Sequence, residues 1–128
     1  AVPAEGLMRM PELLDFPAAA APLLVTLTAW RMLIHRARLH AGESVLVVGA
    51  GGGVNSMATQ IAKLAGARVY VVAGNPEKAA RAPELGADVV LDRSRGDWAK
   101  GLAAVPGSAP RWSLPAAGHP ALWSTADG

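Results

Sequence analysis

Four glycines within the five residues Gly49-Ala50-Gly51-Gly52-Gly53 carry the clearest chemical consequence in this chain. Backbone N–H groups at the mouth of a helix can donate to a phosphate or diphosphate only where no Cβ blocks the approach, and a sharp exit from a strand favours glycine. Gly51, Gly52 and Gly53 supply that clearance, and Val54 and Asn55 follow at the start of the next element. A literal G-x-G-x-x-G from Gly49 ends on Val54, and readings from Ala50 or Gly51 end on Asn55 or Ser56, so the fingerprint is imperfect and depends on its context. A phosphate-loop NTPase needs Lys followed by Ser or Thr after the glycines; Asn55 and Ser56 stand there instead, which excludes that class. Gly49, Gly51 and Gly53 also suit the approach to S-adenosylmethionine, but no acid precedes the first glycine and none ends the following strand.

That missing acid also bears on the cofactor. In dinucleotide folds an Asp or Glu about twenty residues beyond the glycines takes the ribose 2′-OH, whereas NADP sites omit the acid and bring up a cation. Here the strand ends Ala73-Gly74-Asn75, with Lys78 about one helical turn along and Arg93 after the third strand. A 2′-phosphate would meet two positive partners and no repulsion, so NADP is favoured over NAD. Other constellations are weaker. His35 and His40 do not share a helix face, and with His119 they make a poor metal site; Arg31, Arg36 and Arg38 beside them read as a solvated basic strip.

The elements that must position these residues follow from periodicity. Pro22 suits a first helical position, and Leu23, Leu27, Trp30, Ile34 and Ala37 recur at three- and four-residue steps up to about Arg38. Val45-Leu46-Val47-Val48 is an uninterrupted apolar run of the kind found in parallel strands buried on both faces. The glycines come next, then a helical stripe of Val54, Met57, Ala58, Ile61, Ala62 and Ala65 closed by Gly66. Arg68 to Val72 reads as the second strand, Asn75 as the cap of a helix opened by Pro76 and interrupted by Pro83, and Asp88 to Leu91 as the third strand. This is an α/β pattern: a Rossmann-type parallel sheet with helices on both faces, incomplete at about three to four strands.

Around that unit, residues 1–21 read as an irregular lead-in, 22–100 as the nucleotide-binding half, and 101–128 as an irregular tail rich in Pro, Ala and Gly, with isolated Trp112 and Trp123. With no strand of useful length in the tail, the first strand would present an apolar edge, to be paired with another copy in a homodimer, covered by the tail, or left as a source of instability.

Length and composition bound the remaining choices. At 128 residues the chain is one domain's worth; 52% apolar and 17% charged residues provide a core and exclude global disorder. A net charge of +2 is too small for a sequence-independent nucleic-acid footprint, and the absence of Cys excludes disulfides, thiolate zinc sites and cysteine nucleophiles. The N-terminus lacks a secretory pattern, which makes cytoplasm the default. The apolar stretch Ala18 to Trp30 is interrupted by Pro22, Thr26 and Thr28 and falls short of the roughly 20 residues of a bilayer span, so a core helix and no membrane contact are expected.

The motifs Leu27-Thr28-Ala29-Trp30, Ser44 to Val54, Gln60 to Ala67 and Leu85-Gly86-Ala87-Asp88, in this order, resemble the medium-chain dehydrogenase/reductase superfamily, in its zinc-type alcohol dehydrogenase and quinone oxidoreductase branches. The resemblance implies a GroES-like catalytic domain ahead of a Rossmann domain, and hydride transfer between NAD(P)H and an alcohol, carbonyl, quinone or activated alkene. It places Ala50, Gly52 and Asn55 at the three positions of the family's glycine fingerprint, Asn55 standing where many members have the third glycine. It puts Thr28 near the nicotinamide, Asn75 and Lys78 at the 2′-phosphate, and Arg93 where quinone reductases often have a Tyr. Leu24 stands where zinc enzymes have a cysteine ligand, so no zinc site is expected within this chain. Most of the catalytic domain has no counterpart here. The expectation is therefore the NAD(P)-binding part of an oxidoreductase, a truncated or frame-altered piece of a longer enzyme that is inactive alone. A non-catalytic nucleotide-binding module and a methyltransferase fragment are the alternatives.

Overall fold

The computed structural model describes residues 1–107 and 109–114 and the backbone of 123–124. Asp15 caps a short helix α1 (Phe16–Ala20) by accepting from the Ala18 amide, 2.8 Å. The chain then runs on through Pro22, which stays helical, into α2 (Leu23–Trp30) and a π-helical turn Arg31–Arg36. Strand β1 (Ser44–Val48) leads to α3 (Gly53–Leu64), β2 (Arg68–Ala73), α4 (Pro76–Arg81), β3 (Val89–Asp92), α5 (Trp98–Ala103), β4 (Trp112–Leu114) and β5 (Trp123–Ser124). Pro83 acts as expected: α4 stops at Arg81 and a tighter 3₁₀ turn, Ala82–Leu85, carries the chain to Gly86 at φ 103°.

The sheet has the order β3-β2-β1-β4-β5, parallel throughout except for β5, which runs antiparallel to β4. Such a strand order, growing outward in both directions from β1, leaves a crevice outside the C-terminal ends of β1 and β4, where the strand order reverses. The apolar continuity of β1 and β2 has the expected cause. Val45, Val47, Val69 and Val71 join Ala29, Leu33, Ala58 and Ala62 in one core, while Leu46, Tyr70 and Val72 pack on the other face with Trp98, Leu102 and Val105. Each fully buried Val or Leu of this kind contributes about 1.5–3 kcal/mol relative to exposure.

Three expectations are corrected. Residues 1–21 are not wholly irregular, because Asp15 and Pro17 nucleate α1. The stretch Phe16–Arg36 forms a helical run of 21 residues, long and apolar enough by length and composition to cross a bilayer, because Pro22 continues the helix instead of starting it. Ala29 and Leu33 of this run belong to the core, whereas Leu23, Leu24, Leu27 and Trp30 are exposed. Finally, the tail does form structure: α5 and β4 follow the third strand, and β4 pairs with β1 through Val45–Trp112, Leu46–Ser113 and Val47–Leu114. Of the three outcomes expected for the apolar edge, the tail covers it, which removes the ground for a homodimer through β1.

The covering strand is held by polar contacts at its start. Ser44 Oγ donates to the Ala109 carbonyl, 3.0 Å, and the Arg111 amide donates to the Ser44 carbonyl, 3.0 Å. Glu43 receives the Trp112 indole N–H at 3.2 Å and the Arg111 guanidinium at 3.1 Å. Burial alone would raise the Glu43 carboxyl, but hydrogen bonds from the His40 amide and Trp112, with the Arg111 charge, hold it below the usual range.

Candidate functional site

The turn between β1 and α3 is fixed from two sides. Gly49 and Gly51 take φ 106° and 104°, backbone that side-chain-bearing residues rarely adopt. From the β2 side, the Val72 carbonyl accepts from the amides of Gly49 and Ala50, at 2.9 and 3.1 Å. From the α3 side, Asn55 Nδ2 donates to the carbonyls of Val48 and Gly49, at 2.9 and 3.0 Å. Asn55 is buried, as is Thr59, whose hydroxyl donates to the Asn55 carbonyl at 2.9 Å.

The glycines of the run do different work. A Cβ on Gly53 would lie 3.0 Å from Val25 Cγ1, so Gly53 is bare because α2 and α3 approach closely there. Sequence reasoning assigned that clearance to a ligand; the helix contact already requires it. A Cβ on Gly52 would meet nothing within 4 Å, and its φ of −79° suits any residue. Packing therefore gives no reason for glycine at this position, beyond the preference of helix N-caps for it. Gly52 is the N-cap of α3 and has no side-chain capping bond, so the amides of the first helical turn have no side-chain acceptor. An acceptor arriving from solvent would meet an open, positively polarised helix end.

One cation lies against the turn and another over the residue that follows β2. Lys78 lays its chain along Gly51, Cδ and Cε each 3.2 Å from where a Cβ would stand, and its amide donates to Asn75 Oδ1 at 2.8 Å. Arg93 covers Gly74, with Nε 3.6 Å and Nη2 3.7 Å from the corresponding point. Neither cation has an acidic partner within ion-pair distance among the described residues. The nearest acid in sequence to Arg93, Asp92, is occupied: the Ser94 hydroxyl donates at 2.6 Å and the Ser94 amide at 2.9 Å, and these bonds, with Arg95, hold its carboxyl below the usual range. A cavity of about 320 Å³ opens beside Ala50, Gly51 and Lys78 and extends to Ser56, Gln60, Glu77 and Arg81. Those last four were missed by sequence reasoning. The four-residue step between Ser56 and Gln60 was the available signal, since it puts both on one helix face.

The remaining site expectations separate. Ala50 is buried beneath the turn, Val54 is half-buried in the first turn of α3, and Asn75 caps α4. Thr28 lies one turn beyond Val25 on α2, its hydroxyl donating to the Leu24 carbonyl at 3.0 Å. His35 and His40 are exposed, and His119 lies outside the described residues. Among the described residues no three of His, Cys, Asp and Glu converge, and Leu24 offers no donor atom, so these residues do not fit a zinc ion.

An open parallel sheet with a bare glycine turn between its first strand and helix defines a dinucleotide-binding fold of the Rossmann class. Comparison with known proteins gives the family. The zinc-binding dehydrogenase family model matches residues 53–127, and this chain belongs to that family. It is 42% identical over 90 residues to a crotonyl-CoA reductase of Streptomyces collinus, covering 69% of this chain and 20% of that protein. Among solved structures it is similar to an NAD-dependent alcohol dehydrogenase, with 42% identity and a TM-score of 0.78, covering 84% of this chain and 31% of the other. It is also similar to the quinone oxidoreductase of Thermus thermophilus, solved alone and with NADPH: 33% identity, TM-score 0.75, covering 92% of this chain and 38% of that one. The chain thus spans between a fifth and two-fifths of the length of these relatives.

Proposed function

We propose that this chain is the nicotinamide-dinucleotide-binding part of an oxidoreductase, with a preference for NADP over NAD. The observation that carries the reading is Gly52: a bare position that no packing contact requires, at a helix mouth without a side-chain cap. The diphosphate would be held there by the amides of Gly52, Gly53 and Val54, with Gly51 and Ala50 shaping the turn. Gly74 and Asn75 would face the adenosine ribose, and Lys78 and Arg93 the 2′-phosphate. Thr28, on the helix that meets Gly53, would lie toward the nicotinamide. Similarity to a quinone oxidoreductase solved with NADPH supports this cofactor class.

The bound nicotinamide would supply the hydride, exchanged with an alcohol, carbonyl or quinone. This chain's residues would bind and orient the cofactor; the substrate pocket and the proton donor would come from elsewhere, so the isolated chain is expected to bind without turnover. In this reading residues 1–21 lead out of a catalytic domain, 22–100 form the cofactor half, and the enzyme is cytoplasmic. Calorimetric titration with NADPH, NADH and S-adenosylmethionine tests it. NADPH should bind at least about tenfold more tightly than NADH, about 1.4 kcal/mol, and S-adenosylmethionine should not bind. Binding of S-adenosylmethionine with no affinity for either nicotinamide cofactor would overturn the proposed cofactor.

A further inference from the structure

The third position of the glycine fingerprint is ordinarily bare so that helix and strand can approach closely. Asn55 occupies it here, and its amide is turned into that contact instead of being excluded from it: Nδ2 lies 2.9 Å from the Val48 carbonyl and 3.0 Å from the Gly49 carbonyl. These two carbonyls sit at the end of the sheet's support: pairing of β1 with β4 ends at Val47 among the described residues, and pairing with β2 ends one residue later, at Val48 opposite Val72. The next residues, Gly49 and Gly51, are both left-handed, and glycine is the residue that loses most freedom on ordering. A turn of that composition is floppy unless something holds it. The Val72 carbonyl holds its amides and Asn55 holds its carbonyls, so both kinds of backbone group are tied while the amides that follow, at the start of α3, keep no side-chain acceptor.

We infer that Asn55 is a positioning residue for the diphosphate: a side-chain latch that sets the direction of the Gly51–Val54 amides before the ligand arrives. The inference rests on the cofactor reading above and adds to it a residue that acts through the backbone without touching the ligand. Its consequence runs against the fingerprint. Restoring glycine at this position should weaken binding, because the ordering that Asn55 supplies in advance would then be taken from the binding free energy. An aspartate should be worse at neutral pH, when a carboxylate faces two carbonyl oxygens, and should recover in acid, when the protonated carboxyl can donate to one of them.

The test is NADP⁺ affinity of wild type, Asn55→Gly and Asn55→Asp, with amide hydrogen exchange across Gly49–Val54 and a thermal melt on each. Expected are a loss of about tenfold or more in affinity for Asn55→Gly, faster exchange confined to the turn, and affinity of Asn55→Asp that rises as pH falls while that of wild type does not follow it. A wild type that binds, together with an Asn55→Gly that binds equally well and exchanges no faster, overturns the latch and leaves the cofactor reading standing. A wild type that does not bind NADP⁺ overturns both. If Asn55→Gly does not fold, Asn55→Asp decides alone: affinity independent of pH, relative to wild type, overturns the proposal.

Discussion

The side chain of Lys78 runs along the face of Gly51, its Cδ and Cε 3.2 Å from the position of an added Cβ, so the glycine of the turn and the cation of α4 share one contact. A larger residue at position 51 would both displace Lys78 and force a side chain into φ 104°. Gly51→Ala should therefore lower stability by about 1–3 kcal/mol in denaturant melts, from backbone strain, and, with Lys78 in its proposed place at the 2′-phosphate, weaken NADPH more than NADH.

Lys78 and Arg93 approach the crevice from α4 and from the end of β3, over two different glycines. Lys78→Ala and Arg93→Ala should each reduce NADPH affinity by about five- to tenfold, and by more when combined, while leaving NADH affinity within about twofold. Equal losses for both cofactors would remove the assigned role in 2′-phosphate recognition. Both contacts are exposed, so rising salt should narrow the gap between the two cofactors.

Gly52 and Gly53 are neighbours with opposite expected behaviour. Gly52→Ala meets open space at an ordinary φ, and the gain from a less flexible unfolded chain is offset by alanine's poorer N-capping, so stability should change by no more than about 1 kcal/mol while measurable NADPH binding is abolished. Gly53→Ala pushes on Val25 and should lower the melting temperature whether or not ligand is present. A Gly52→Ala variant that binds normally would contradict the placement of the diphosphate.

Acid should release β4 from β1. Glu43 and Asp88 both have carboxyls held below their ordinary values despite burial that acts the other way, Glu43 by the His40 amide and by the Trp112 and Arg111 contacts that anchor the tail, and Asp88 by Lys63 and the Val69 amide. A carboxylate with a depressed native pKa binds fewer protons folded than unfolded in that range. Its stabilisation is therefore complete above the unfolded value, 4.5 for Glu43 and 3.8 for Asp88, and is lost as pH falls through the lower folded values. Melts should show a falling transition temperature below about pH 4.5. Glu43→Gln should lower stability by about 1–3 kcal/mol at pH 7 and flatten part of the acid dependence. Amide exchange at Ser113 and Leu114 should rise first.

Much of the architecture was readable because local rules and tertiary packing agree. The apolar run of β1, the stripe on α3, the Asn75 cap and the Pro83 interruption each follow from near neighbours, and the structure has them within a residue or so of expectation. The glycine turn was also visible, because it depends on consecutive residue types, whereas the contacts of Lys78 with Gly51 and of Arg93 with Gly74 join residues far apart in sequence. The tail was misread for a physical reason: Trp112, Ser113 and Leu114 have little strand pattern alone and become a strand only through an apolar edge and a carboxylate that lie about 65 residues away in sequence.

Spacing alone determined that this chain has a parallel α/β core with a glycine turn at the end of its first strand, since alternation, periodicity and glycine's missing Cβ are properties of consecutive residues. Which glycine serves packing and which serves a ligand was decided only in three dimensions, by Val25 standing against Gly53 and nothing standing against Gly52. The same holds for Asn55, which sequence could count only as a departure from a motif. Its worth depends on two carbonyls that the fold brings within 3.0 Å of its amide.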